Sequence, residues 1–190
     1  NLQIISSLLY LQSEGFEDEA MKDIFKDSQS RIRSMALIHE KMYQSESLSK
    51  IDMKSYVDNL ISHLFDTHCP PGKRIDTHLQ VSEVFMDLDT AIPVGLIISE
   101  LISNSFKHAF GASEEGSVSI GLEKEGDMFT LVVSDDGPGL PEWLDMEETD
   151  SLGLQLVSGL VSQLRGDMKT DNENGAMFRI QFPAKKEVEE

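Results

Sequence analysis

Glu100, Asn104 and Lys107 recur at intervals of four and three within A-I-P-V-G-L-I-I-S-E-L-I-S-N-S-F-K-H-A-F, Ala91 to Phe110. At about 100° per residue they share one helical stripe with His108 at its margin, while Ile98, Leu101, Ile102, Ser105 and Ala109 take the other face. A carboxylate, an amide and an ammonium thus line up on a helix otherwise rich in Ile and Leu. The plain alternative is an amphipathic helix with a solvated stripe. A second group follows the apolar run T-L-V-V-S as D-D-G-P-G, Asp135 to Gly139. Asp135 would hang at a strand end as an acceptor suited to an exocyclic amine such as that of adenine, beside glycines that let backbone approach a ligand closely. A third, S-L-G-L-Q-L-V from Ser151 to Val157, puts Gly153 in the first turn of a helix, where amide N–H groups can meet an anion. Each has a bland counterpart: an Asp-Gly turn, and a capped helix whose glycine packs closely.

These groups need a scaffold, and the residue pattern supplies one. Ile75 to Val81 and Glu83 to Leu88 read as short strands ahead of the Ala91 helix. Gly116 to Leu122 and Met128 to Ser134 read as strands joined by a turn at Lys124 to Asp127. Ser151 to Arg165 reads as a helix with Ser151 as N-cap, and Asp167 to Thr170 with Ala176 to Phe182 as a closing hairpin. The acidic stretch P-E-W-L-D-M-E-E-T-D between the two glycine sites has the composition of a lid or of any surface loop. Upstream, Ile51 to His68 is helical in pattern, with Asp52 as N-cap, and C-P-P-G stops it.

The first 48 residues are different. Asn1 to Gln12 is a helical stripe too apolar for solvent. From about Glu17 to Tyr43, Met21, Phe25, Ser28, Ile32, Met35, His39 and Met42 are spaced alternately four and three, a heptad seam. The two form a hairpin that cannot bury both faces alone, so a dimeric four-helix bundle is expected. His39, on the seam, reads as a packed residue. We expect an α+β chain: a dimerisation hairpin over 1–48, then an α/β sandwich over 49–190.

The chain has 190 residues and a formal net charge of -18. Such a charge repels nucleic acid and anionic membrane, so a polyphosphate ligand needs local cations or a metal. The single cysteine, Cys69, excludes an internal disulfide framework and fits a reducing compartment. No apolar run reaches 18 residues, no signal peptide is present, and the start at Asn1 inside a helical pattern reads as that of a fragment.

In one order within about 90 residues stand E-x-x-x-N-x-x-K-H, D-x-G-x-G after a strand, a glycine-opened helix and N-G-A-M-F-R-I-Q-F-P. Neither the G-x-x-x-x-G-K-[ST] phosphate loop nor the G-x-G-x-x-G dinucleotide pattern occurs among them. The series resembles the ATP-binding domain of the GHKL (Bergerat-fold) ATPases. With the hairpin ahead of it, the chain resembles the sensor histidine kinases of two-component systems. Within them it is similar to the subfamily whose dimerisation segment carries N-N-L-Q-I-I-S-S-L-L-x-L-Q and R-I-x-S-M-A-L-I-H-E-K-x-Y, here Asn1 to Gln12 and Arg31 to Tyr43.

That resemblance implies a Mg·ATP-dependent protein histidine kinase. Asn104 would coordinate Mg²⁺, and Glu100 would hold a metal-bound water or orient the nucleophile. Lys107 and His108 would lie near the phosphates. Asp135 would receive the adenine amine, with Gly137 and Gly139 shaping the pocket and lid hinge. Leu152, Gly153 and Leu154 would meet the phosphates through their amides, and Phe178 is the aromatic residue of the last motif. Implied partners are a second copy through the hairpin, a response-regulator receiver domain and an upstream sensor domain, in the cytoplasm, with any membrane anchor upstream. Two departures stand out. Gly175 is followed by Ala176 rather than threonine. The acceptor histidine lies before N-N-L-Q in this subfamily, so autophosphorylation of these 190 residues is not expected. The alternatives are a degenerate nucleotide-binding and dimerisation module, or an anti-sigma-type serine kinase, which would not need the hairpin.

Overall fold

A computed structural model describes residues 1–44, 50–69, 72–110, 115–141, 144, 149 and 151–184. Two helices open the chain, α1 (Leu2–Ser13) and α2 (Glu19–Gln44), packed together as the expected hairpin. Ile4 (63%), Leu8 (56%) and Leu11 (67%) on α1 remain exposed, so one chain leaves the apolar stripe of α1 uncovered. The seam residues Met21, Phe25, Ser28, Ile32, Met35 and His39 are only half-buried; the Met42 side chain lies outside the described residues. Among the described residues the buried positions of α2 are instead Ser30, Ser34, Ala36 and Ile38, a second face turned toward the rest of the chain.

A short strand, β1 (Ile51–Asp52), pairs antiparallel with β3 (Phe85–Met86) apart from the main sheet. The strand expected over Glu83 to Leu88 therefore shrinks to two residues, because Asp87 caps the next helix by accepting from Thr90 N–H at 2.8 Å. α3 (Met53–His68) starts on Asp52, whose carboxylate accepts from the amides of Lys54 and Ser55 as expected. β2 (Arg74–Val81), β4 (Glu115–Glu125), β5 (Met128–Asp135), β7 (Met177–Pro183) and β6 (Asp167–Asp171) form the main sheet in that order. β2 and β4 run parallel; every other pair is antiparallel.

Alternation along the strands sends Val118, Ile120, Leu122, Leu131, Val133, Phe178, Ile180 and Phe182 inward. α3, α4 (Leu88–Asn104) and α5 (Leu152–Gln163) contribute to the same core, as Leu60, Leu64, Ile97, Ile98, Leu101, Val157 and Val161. The α/β sandwich is thus present, with helices on one face of a mixed sheet. Tyr56 of α3 reaches under Gly95 of α4, where any Cβ would collide with its phenol, and its hydroxyl donates to Ser34 C=O of α2 at 3.4 Å. That ring is one of the contacts that tie the hairpin to the sandwich. The proposed division near residue 48 falls at 45–49, outside the described residues, as do most of the acidic stretch before α5 and the charged tail. Among the described residues no helix is long and apolar enough to cross a membrane.

Candidate functional site

The helix expected over Ala91 to Phe110 is two structures. α4 ends at Asn104, and Ser105–Ala109 form a π-helical turn. Ser105 continues α4 in helical conformation and stays on the buried face that helical spacing gives it, where it meets Asp135. Ser105 Oγ–H donates to Asp135 Oδ2 at 2.7 Å. The amides of Gly137 and Ala176 donate to Oδ1 at 3.0 and 3.3 Å. Asp135 is 8% exposed, at the inward end of β5. An ionised carboxylate offers about four acceptor sites; with three taken, one remains for a ligand amine. The chain after it is fixed by Asn172, whose side-chain amide brackets both the N–H and the C=O of Leu140, next to Gly139 at φ +84°.

Eleven residues of chain, 141–151, separate α5 from this cradle, yet its N-terminus returns to α4. A Cβ on Gly153 would stand 2.9 Å from Glu100 Oε2 and 3.8 Å from both Asn104 side-chain polar atoms. Ser151 occupies the N-cap position but its hydroxyl caps nothing. It differs in this from the expected cap: the Ser151 amide instead donates to Thr149 Oγ1 at 3.2 Å, and Gln155 holds Thr149 C=O at 2.7 Å. The N-terminal turn of α5 thus lies beside Glu100 and Asn104 and carries no side-chain cap from Ser151, which leaves its first amides available to an anion. The structure brings together Glu100, Asn104 and Gly153 on one side, and Asp135 and Gly137 on the other, joined through the Asn104–Ser105 peptide.

Residues 89–186 match the family described as histidine kinase-, DNA gyrase B- and HSP90-like ATPase, and residues 1–68 match the histidine kinase family. The chain belongs to this ATPase family. It is 31% identical to the sensor histidine kinase PdtaS of Mycobacterium tuberculosis over 191 residues, which takes in 96% of this chain and 37% of that protein. It is 25% identical to blue-light-activated histidine kinase 2 of Erythrobacter litoralis, over 96% of this chain and 54% of the relative. The chain thus spans from about a third to half the length of these relatives. In fold it resembles the histidine kinase domain of the E. litoralis EL346 blue-light-activated histidine kinase, with TM-score 0.77, 24% identity, and coverage of 97% of this chain and 86% of that one.

For a member of this ATPase family, the polar stripe has an unexpected setting. It is only partly solvated: α2 buries Glu100 and pairs with Lys107, which stays exposed. Glu100 is 6% exposed and accepts from Arg31 Nε–H and Nη2–H at 2.6 and 2.9 Å. Hydrogen bonding to Glu100 raises the Arg31 guanidinium further above its ordinary range, against the opposing effect of its desolvation. Lys107 Nζ lies 2.6 and 2.7 Å from the two Asp27 carboxylate oxygens on α2. His108 is exposed on the π turn. Leu152 is 60% exposed, Leu154 is buried, and Phe178 is a core residue of β7 opposite Val133. Spacing alone missed Ser105, Arg31, Asp27 and Asn172. Only Arg31 had any signal, its place within the R-I-x-S-M-A-L-I-H-E-K-x-Y stretch. A separate groove of about 670 Å³, lined by Ser119, Ser134, Lys169 and Arg179 among others, borders Asp135 but none of Glu100, Asn104 or Gly153. Its outward-facing β-residues place it on the open face of the sheet, where it adjoins the Asp135 end of the site through Asp135 and Ala176.

Proposed function

We propose that this chain is the kinase core of a sensor histidine kinase. It binds Mg·ATP between Asp135 and the start of α5, passes the γ-phosphoryl group to a histidine upstream of Asn1, and from there to a response-regulator aspartate. The observation that carries this reading is the convergence of Gly153 on Glu100 and Asn104 beside an Asp135 cradle with one acceptor site to spare. The family's ATPase domain implies ATP as the nucleotide.

Magnesium fits the donor set. The Asn104 side chain is half-buried and has no hydrogen-bond partner among the described residues, and it flanks the uncapped amides of α5. A hard cation that keeps waters and phosphate oxygens needs one such protein oxygen. Asn104 would hold it, with Glu100 reaching it through water; the ion would supply charge neutralisation to the triphosphate. The α5 amides bind and orient phosphate oxygens, and Asp135 selects the base. The exposed Ile4, Leu8 and Leu11 support dimerisation, since a second copy would cover them in a four-helix bundle. A receiver domain and an upstream sensor domain complete the pathway, in the cytoplasm, where ATP is available.

Calorimetric titration of Mg·ATP against wild type and Asn104→Asp tests the site. The added carboxylate would stand beside the phosphates, and affinity should fall about tenfold or more, the equivalent of ~1.4 kcal/mol. Equal affinities, or binding indifferent to Mg²⁺, would support a degenerate module instead. Extending the chain through the upstream histidine should add acid-labile phosphate from ATP; a chain that binds ATP but never acquires it is no kinase.

A further inference from the structure

Two ion pairs join the hairpin to the helix bordering the proposed nucleotide site, and both engage residues of that site. Asp27 and Arg31 lie one turn apart on α2, and Glu100 and Lys107 about two turns apart along α4 and the π turn. Opposite signs face each other at both points: Arg31 on Glu100 at 2.6 Å, Lys107 on Asp27 at 2.6 Å. Ser30 Oγ and Ser99 Oγ, 3.5 Å apart, fill the space beside them. Glu100 and Arg31 are 8% and 19% exposed at the side chain, Asp27 and Lys107 27% and 33%.

These are the charges an incoming nucleotide needs. A carboxylate chelated by a guanidinium has little left for a metal-bound water, and an ammonium held by both oxygens of Asp27 has little left for phosphate. Asn104, between them, is without a partner among the described residues. The amide is open while both charged neighbours are committed.

We propose that Asp27 and Arg31 are positioning residues of the nucleotide site: they hold Lys107 and Glu100 against the hairpin, and Mg·ATP binds by drawing both away from α2. This rests on the nucleotide reading given above. If the clasped arrangement dominates without ligand, apparent affinity is reduced by the fraction of open molecules. The coupling is reciprocal, so nucleotide loosens the contact between hairpin and sandwich, and a shift of α2 alters nucleotide affinity.

The test measures Mg·ATP dissociation constants for the 190-residue chain and for Asp27→Asn/Arg31→Gln, with Asn104→Asp as reference. The Asp27–Lys107 pair is partly exposed and modest in strength, and the Arg31–Glu100 pair is offset by the desolvation of both groups, so the neutral variant should bind about 3- to 10-fold more tightly at low salt. Near 0.5 M salt, where the Debye length is only a few ångströms, the gap should close. Asp27→Lys/Arg31→Glu, which sets like charges face to face, should bind at least as tightly as the neutral variant. Circular dichroism of each variant checks that the fold is kept. A neutral variant that binds no better than wild type, while Asn104→Asp abolishes metal-dependent binding, overturns the clasp and leaves the site standing. A wild type no better than Asn104→Asp overturns the nucleotide reading and the clasp with it.

Discussion

The two ends of the proposed nucleotide site are completed from different sources. Around Asp135, every donor comes from the sandwich itself: Ser105 from the π turn, Gly137 from the loop after β5, Ala176 from the start of β7's motif. Around Glu100 and Lys107, the partners come from the hairpin. The first end is pre-organised and should bind its part of a ligand in the same way wherever the hairpin lies. The second end changes its available charge when α2 moves, because each ion pair spans the junction. A signal entering through the hairpin would therefore be read at the phosphate end and not at the base end.

The largest expected effect attacks the self-completed end. Gly175 has φ +98°, and a Cβ there would collide with the Asp135 carbonyl. Gly175→Ala should cost about 3 kcal/mol of stability, from a left-handed backbone and a backbone clash that no side chain can relieve. Urea unfolding checks it; a loss under about 1 kcal/mol would mean that this end is softer than the comparison requires. Next is Asp135→Asn, which can keep its oxygen on the Gly137 and Ala176 amides and turn its NH₂ to the Ser105 hydroxyl, but loses the charge and the spare acceptor that a ligand amine needs. Nucleotide affinity should fall about 30-fold, or ~2 kcal/mol. The fold-loss should be the same in the Asp27→Asn/Arg31→Gln background, since the sites share no partner. A different loss in that background would show that the ends are coupled after all.

The self-completed end was also the more legible one. D-x-G-x-G after an alternating strand announces its turn chemistry locally, and Asp135 stands where that pattern places it. The strands and α5 were legible for the same reason, since period-2 and period-3.6 patterns are local properties. What the pattern could not carry was contact across the domain junction. Glu100, Asn104 and Lys107 were visible as a stripe, but a polar stripe looks alike whether water or Arg31 and Asp27 cover it. The heptad of α2 signalled one face, the bundle seam. Its second face, with Ser30, Ser34, Ala36 and Ile38, carries mostly small residues and no apolar period to announce it. The π turn escaped because five residues of altered winding leave no compositional mark; Ser105 sits on the buried face that spacing gave it, but its partner there, Asp135, was not foreseen.

Acid provides a probe of the borrowed end. His68, 9% exposed at the end of α3, has an Nε2 without a partner among the described residues, and burial pushes its pKa down to about 4, aided by Lys26 of α2, Lys107 and His63 and opposed by Asp27. The folded chain resists protonation while the unfolded chain protonates near 6.5. Stability is thus fully present above that pH and lost progressively as pH falls from about 6.5 to about 4. The loss should be roughly 1–2 kcal/mol after solvent screening. Measured as wild type minus His68→Gln, it should appear as reduced hydrogen-exchange protection of α2 and α3, with the strands around Asp135 unaffected. Uniform loss across the sheet would contradict the division.

The smallest effect is the most discriminating. Ser105→Ala removes the hydroxyl on Asp135 Oδ2 and leaves two amide donors on Oδ1, so the carboxylate stays in place but is less firmly oriented. The lost bond is worth about 1 kcal/mol, and Mg·ATP affinity should weaken about fivefold. Ser105 follows Asn104 directly, so it lies on the same stretch of chain as the residues held by the hairpin. If nearness along the helix decided the outcome, Ser105→Ala would act like the hairpin variants and tighten binding. If the source of the partners decides it, the change has the opposite sign, and a titration of the two variants side by side separates the cases.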